Sequence, residues 1–354
     1  MTTSTSLARS ADRVAQLCRI GPVHDDARTL RLALLDEVSR TVAFDAYAWL
    51  LTDPETEVGC APLADAPCLD QLPRLIALKY LTPLNRWTSL DSATTLQRAT
   101  GGQPERSLVW RELLRALGVA DVASLVFRDR FGCWAFLDLW RIDPAPPFTD
   151  VEVQFLTQIL PPITTALRRA EARTFDVIPA SAPRPGPIVL MLSPQLEVRS
   201  QTPDTEHFLS TLVPPDVDRR PIPAAAYNVG AQLLALEAGV DHHPPSARVH
   251  LAGGVWLTVR AARMGGVASP HDRDVAVTIE SASSEDRMGV FTRACGLSAR
   301  EVQLLTHLAT GSETRHIARE MVLSEHTVQD HLKSIFAKTG VRARRTLLAR
   351  ALGR

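Results

Sequence analysis

Cysteine is scarce and unpatterned in this chain. The five residues, Cys18, Cys60, Cys68, Cys133 and Cys295, are odd in number and include no C-x-x-C pair. That argues against a disulfide framework or a tetrahedral zinc site and suits thiols kept reduced. Cys60 and Cys68, eight apart in a Pro-containing stretch, are spaced for a redox pair, although incidental thiols are the commoner case. No run of about eighteen apolar residues occurs, which excludes a spanning helix. The start, Met1-Thr2-Thr3-Ser4-Thr5-Ser6, has no charged region ahead of an apolar run, so no signal peptide and a cytoplasmic location are expected. Catalytic signatures are missing too: there is no phosphate-cradling Gly-rich loop and no G-x-S-x-G elbow. Neither an enzyme nor a cofactor is expected.

Net charge is also missing, because 39 Lys and Arg balance 39 Asp and Glu. The balance conceals a division. From Val290 to Arg354 there are 11 Lys and Arg against 5 Asp and Glu, a net of +6, so the other 289 residues carry −6. The basic share sits at one end, where an anionic partner would lie.

That end is the only segment whose residues state a chemistry. In Leu297-Ser298-Ala299-Arg300-Glu301, Ser298 can cap free helix amides while Glu301 reaches back to the Ser298 amide, a capping box. Val302, Leu304, Leu305, Leu308 and Ala309 follow a helical period, and Gly311 supplies the turn. A short second helix, Thr314 to Met321, buries Ile317 and Ala318. Ser324 then caps a third helix that runs to about Thr339 and stops at Gly340. Two short helices with a tight turn between them make a helix-turn-helix.

At about 100° per residue, Val328, Leu332 and Ile335 share the inner side of the third helix. The opposite side carries His326, Asp330, Lys333 and Ala337, with Gln329 at its edge. It is polar and slim, as a helix entering a major groove must be. Lys338, Arg342, Arg344, Arg345, Arg350 and Arg354 follow, and no acid occurs from His331 to the C-terminus. Flanking basic groups are what phosphate contacts require.

These residues, with Ile317-Ala318, Leu323-Ser324-Glu325-His326-Thr327-Val328, His331 and Lys338-Thr339-Gly340-Val341-Arg342-Ala343-Arg344, resemble the LuxR-type helix-turn-helix domain. The resemblance covers about a sixth of the chain. It implies that Gln329, Asp330 and Lys333 face bases, that Thr327, Lys338 and Arg344 contact phosphates, and that the last helix, Arg344 to Leu352, pairs two domains. Arg342, in the same basic run, is taken as a further phosphate contact. The chain departs from the family at Asp330, where an acid is unusual. Such an acid either accepts a hydrogen bond from cytosine N4 or only repels phosphates.

Upstream, residues 1–21 read as an amphipathic helix with Leu7, Val14, Leu17 and Ile20, which either pairs protomers or packs on the next domain. Residues 22–172 follow. They comprise a helix from Asp25 to Val42, a strand at Phe44 to Leu51, a loop from Cys60 to Leu72 and helical stretches to Leu117. A hairpin of Ala123 to Arg128 with Cys133 to Trp140 comes next, then a helix from Asp150 to about Ala172 interrupted by Pro161-Pro162. Their order resembles a GAF-type sensor domain. Residues 173–187 read as a stiff Pro-rich linker. Residues 188–282 show strands at Ile188 to Leu192, Leu196 to Ser200, Ala247 to Leu251, Val255 to Ala262 and Val275 to Glu280, with helices at Pro203 to Leu212 and Pro223 to Ala238. They resemble a PAS-type domain. Residues 283–293 read as a polar linker ahead of the DNA-binding domain, residues 294–354.

Alternation along the second hairpin strand places Trp134, Phe136, Asp138 and Trp140 on one face. With Trp49, and with Trp87 as a further candidate, they form either a small-molecule pocket or domain core. His242-His243 reads as a solvated loop, and no metal is expected. The expected fold is multidomain: two α+β sensor-like domains, then an all-α four-helix LuxR-type domain. The expected function is a dimeric, signal-controlled regulator binding double-stranded DNA, with a small-molecule ligand upstream and no membrane partner. The alternative is an upstream part that is a constitutive dimerisation platform without a ligand.

Overall fold

A computed structural model describes residues 2–19, 26–177, 188–205, 223–251, 254–266 and 272–353. Two antiparallel sheets and a helical C-terminal region make up these residues. Helices α1 (Thr2–Arg19) and α2 (Ala27–Ser39) come first, the latter capped by Asp26, which accepts from the Arg28 and Thr29 amides. Strands β1 (Ala46–Thr52), β2 (Gly59–Asp65), β3 (Thr94–Thr95), β4 (Val119–Asp129) and β5 (Gly132–Ile142) form the first sheet in the order β2-β1-β5-β4-β3. Helices α3 (Leu72–Leu81), α4 (Leu96–Thr100) and α5 (Leu108–Glu112) lie between β2 and β4 in sequence, and α6 (Asp150–Arg173) follows β5.

Of the two roles open to the N-terminal helix, α1 takes the packing one within the chain. Val14 is fully buried in the core that α2, α6 and one face of the sheet share, and Arg13 pairs with Glu37 at 2.5 Å. Two sequence expectations are corrected here. The first part of the expected Cys60–Leu72 loop is strand: β2 runs at the sheet edge, where a proline such as Pro62 is tolerated. Helix α6 is continuous through Pro161 and Pro162. The carbonyls freed by the missing amides belong to the exposed Thr157 and Gln158, which water can satisfy. The hairpin turn keeps Gly132 because a Cβ there would collide with the Pro54 carbonyl, which accepts from the Cys133 amide at 3.1 Å.

The second sheet orders β6 (Ile188–Leu192), β7 (Val198–Gln201), β8 (Ser246–Leu251), β9 (Val255–Arg263) and β10 (Val275–Ser281) as β7-β6-β10-β9-β8. The expected helix at Pro203 to Leu212 falls largely on 206–212, outside the described residues, as does the linker over 178–187. Helix α7 (Ala224–Glu237) is buried on nearly every side, between the second sheet and the α3–β2 side of the first module. Its all-round apolar surface is the sequence mark of such a position. Charged pairs reinforce the junction. Arg248 on β8 donates to both oxygens of the fully buried Asp53, at 2.6 Å each, and Arg86 pairs with Asp241. Asp241 also accepts from the backbone amide and ring Nδ1 of His243, so that histidine is half-buried and bound, not solvated.

Residues 283–293, expected as linker, are helical. Ser283 caps α8 (Ser284–Ala294) by accepting from the Asp286 amide, with Glu285 and Asp286 in the first turn. Val290, Phe291 and Ala294 face inward. Phe291 meets the buried Phe175 edge-on at 5.3 Å, and Phe175 stacks on Trp256 of β9 at 4.8 Å. Four helices complete the chain: α9 (Ala299–Ala309), α10 (Thr314–Glu320), α11 (Glu325–Thr339) and α12 (Arg344–Leu352).

Candidate nucleic-acid interface

The interface is built on two capped helices. Ser298 accepts from the Glu301 amide while Glu301 accepts from the Ser298 amide at 2.6 Å, closing the capping box that starts α9. Ser324 accepts from the Thr327 amide at 3.1 Å and starts α11. Between α10 and α11 the chain turns at Val322, whose φ is +56° and whose side chain is 89% exposed. The turn closes because the Leu323 amide donates to the Ala318 carbonyl at 2.8 Å.

Val328 and Ile335 are buried against α9 and α10 with Leu304, Leu305, Leu308 and Ile317. The 3.6-residue period then leaves His326, Gln329, Asp330, Lys333 and Ala337 exposed on the other side. Asp330 sits at the middle of that face. Lys333 Nζ donates to Asp330 Oδ1 at 3.0 Å, and His326 Nε2 lies 3.5 Å from Oδ2. The Lys333 hydrogen bond and the nearby positive charges hold the carboxyl below its ordinary range.

Glu301 does more than cap. Its carboxylate, on a residue only 2% exposed, also accepts from Ser334 Oγ and Lys338 Nζ, each at 2.6 Å. Burial opposes the charge, yet the bonds from Lys338, Ser334 and Ser298 outweigh it and hold the carboxyl down to about 2. The start of α9 is thereby tied to the end of α11. A sequence clue existed: Ser334 and Lys338 are four apart on the helix, so both face one neighbour.

Residues 296–351 match the bacterial regulatory proteins of the luxR family. The C-terminal domain is a LuxR-type helix-turn-helix. A 73-residue stretch is 42% identical to the probable HTH-type transcriptional regulator GfsR of Streptomyces halstedii, over 21% of this chain and 30% of that protein. The chain thus spans less than a third of that relative's length. Among solved structures it is similar to SdiA of Escherichia coli, at 12% identity and a TM-score of 0.34 over 98% of this chain and 97% of that one. It is also similar to the VqmA dimer of Vibrio cholerae solved without target DNA, at 17% identity and a TM-score of 0.18 over 47% and 82% of the two chains. At those scores neither likeness bears on how the parts of this chain are arranged.

Within the LuxR-type domain, the positions expected to face phosphate are not equally free. Arg342 is exposed. The Thr327 hydroxyl lies 2.9 Å from that of Ser324, and Arg344 Nη2 donates to the Ser312 carbonyl at 2.6 Å, leaving further guanidinium donors unused by that bond. Lys338 differs from these: its ammonium, still partly exposed, is paired with Glu301 at 2.6 Å.

The expected upstream pocket is not assembled. Phe127 pairs with Ala135 and Arg128 with Cys133, which leaves Trp134 as a β-bulge residue. Its indole joins the α6 side, where Nε1 donates to Asp129 at 3.1 Å. Trp49 lies on that side too, stacked on Phe127 at 5.4 Å. Phe136, Asp138 and Trp140 keep the opposite face, but neighbours fill it. Trp87 stacks on Phe136 at 5.0 Å and donates to Asp138 at 3.0 Å, Ser124 donates at 2.6 Å, and Lys79 pairs with Asp138 at 2.8 Å. Asp138 is a buried core carboxylate satisfied by Trp87, Ser124 and Lys79. An open cleft of about 540 Å³ lies instead between β4 and α6, lined by Leu90, Val126, Arg128, Thr157, Leu160 and Pro161. Cys60, Cys68 and Cys133 are buried, and desolvation pushes their thiols up. Among the described residues no helix is long and apolar enough to cross a membrane.

Proposed function

We propose that this chain is a cytoplasmic transcription regulator that binds double-stranded DNA as a homodimer, with GAF-like and PAS-like modules upstream that take in a signal. One observation carries the DNA-binding part: α11 buries Val328 and Ile335 and presents Gln329, Asp330 and Lys333 on one exposed face beside the basic run at Arg342 and Arg344. Donors and an acceptor on a narrow helical face suit base edges, and the basic run suits phosphates. Two such faces related by a two-fold axis would read half-sites about one helical turn apart. The test is a selection of randomised duplexes by the full-length protein, followed by the salt dependence of binding to the best site. A two-fold symmetric preference is the expected result. Uniform affinity for all duplexes would refute the reading.

A second reading, in which the upstream modules are a constitutive dimerisation platform, is favoured by the filled surroundings of Asp138 and by the buried Asp53–Arg248 pair across the two modules. The open cleft beside Arg128 favours the signal-taking version. Native mass spectrometry of the full-length protein, purified from its own cells, separates them. A dimer with extra mass released by denaturation supports a ligand, whereas a bare dimer supports the platform.

A further inference from the structure

Resting on the DNA-binding reading above, we propose that Asp330 and Lys333 act as one unit that reads a single G·C base pair in the major groove. The two side chains are joined in the free protein: Lys333 Nζ donates to Asp330 Oδ1 at 3.0 Å. An ammonium has three donors, so two hydrogens of Lys333 remain. Asp330 Oδ2 also remains available, because its nearest partner, His326 Nε2, stands off at 3.5 Å, beyond a good hydrogen bond. Both residues are exposed on the side of α11 that carries Gln329, with their side chains more than half open to solvent.

The unit therefore offers two donors beside one acceptor. A G·C pair offers the complement along its major-groove edge: guanine N7 and O6 accept, and cytosine N4 donates. An A·T pair alternates acceptor, donor, acceptor and ends in a methyl group. Lys333 would then face the adenine amino group, and Asp330 would face an acceptor or the methyl. Joining also resolves the cost of an acid at this surface. An isolated carboxylate would be repelled by phosphates, while a carboxylate already paired with an ammonium arrives as a neutral group. Asp330 thus sets specificity, at the cost of the net charge that Lys333 alone would bring to the DNA.

Selection from randomised duplexes with full-length wild type, Asp330→Ala, Lys333→Ala and Asp330→Asn tests this. Wild type is expected to hold one G·C pair fixed in each half-site. Asp330→Ala and Lys333→Ala should relax that same position by roughly tenfold each, with the other positions unchanged. Asp330→Asn should move the preference toward A·T, since an amide pairs with adenine N6 and N7. An inosine·cytosine pair at that position keeps the major-groove edge and should be bound like G·C. The proposal is overturned if the two alanine variants relax different positions, if Asp330→Ala relaxes none, or if inosine·cytosine is rejected. Each of those results leaves the regulator reading standing, because sequence preference persists. Absence of any preference in wild type refutes that reading and this proposal together.

Discussion

Removing the charge of Glu301 should loosen two helices of the LuxR-type domain at once. Glu301→Gln keeps the shape of the side chain but loses the charge that Lys338, Ser334 and the Ser298 amide all address. The magnitude follows from the carboxyl's displacement from 4.5 to about 2, which at about 1.4 kcal/mol per tenfold is about 3 kcal/mol at neutral pH. Lys338 is partly exposed to solvent, so screening brings the expected loss to about 2 kcal/mol. The sign with pH is fixed. A carboxyl depressed in the folded state contributes its stability in full above 4.5, and that contribution fades as pH falls toward about 2. Native-state hydrogen exchange of the full chain at pH 7, read on peptides from α9 and α11, should show both helices exchanging roughly thirtyfold faster in the variant. In urea titrations, the gap between variant and wild type should close between pH 4.5 and 2. The double variant Glu301→Gln/Lys338→Met should lose less than the sum of the singles. Additive losses, or faster exchange in α9 alone, would refute the tie between the two helices.

Two further predictions concern other parts of the molecule. Arg342→Ala should lower the salt slope of DNA binding by about one contact, and Lys338→Ala by distinctly less, because Glu301 already pairs with that ammonium; equal slopes for the two variants would contradict the assignment. Asp53→Asn should destabilise the full chain by about 3 kcal/mol at pH 7, since it removes the buried carboxylate of the pair and leaves Arg248 facing only the half-exposed Glu55 carboxylate at 2.9 Å. Burial raises the Asp53 carboxyl, but the Arg248 bonds hold it below its ordinary range, so the deficit should shrink only in acid. Denaturant unfolding against pH checks it, and a variant of wild-type stability would sink it.

What could be read from the sequence was what neighbours in sequence decide. The Ser298–Glu301 capping box, the Ser324 cap and the inner stripe of Val328 and Ile335 are local, and they led directly to the exposed face of α11. The edge strand β2 was hidden because Pro62 reads as a loop residue until its place at a sheet edge is known. Continuity of α6 through two prolines depends on where the freed carbonyls point. Strict alternation put Trp134 beside Phe136, and a bulge set by pairing with β4 moved it to the other side. The engagement of Lys338 by Glu301 spans 37 residues, and that of Arg248 by Asp53 spans 195. The i,i+4 spacing of Ser334 and Lys338 shows that they share a neighbour but not which one, and nothing local announces Arg248 with Asp53. Residues 283–293 differ for another reason: Ser283 followed by acids has linker composition, yet Ser followed by acids is also a helix start.

That helix leaves no slack between the upstream modules and the DNA-binding domain. Arg287, at the end of the first turn of α8, donates to the Gly254 carbonyl next to β9 at 2.9 Å and to the Arg350 carbonyl in α12 at 3.2 Å, and lies over the Phe175 ring at 4.9 Å. Arg350 in turn pairs with Asp176 at 2.8 Å. In a homodimer, heads mounted this way would behave as the jaws of a gauge set to one opening. A flexible tether lets a second head find its half-site across a range of spacings, whereas a stiff mount gives high effective concentration at one spacing and almost none elsewhere. Operators whose half-sites are moved apart by half a helical turn would then be bound by one head only. Their discrimination would come from distance as much as from base identity.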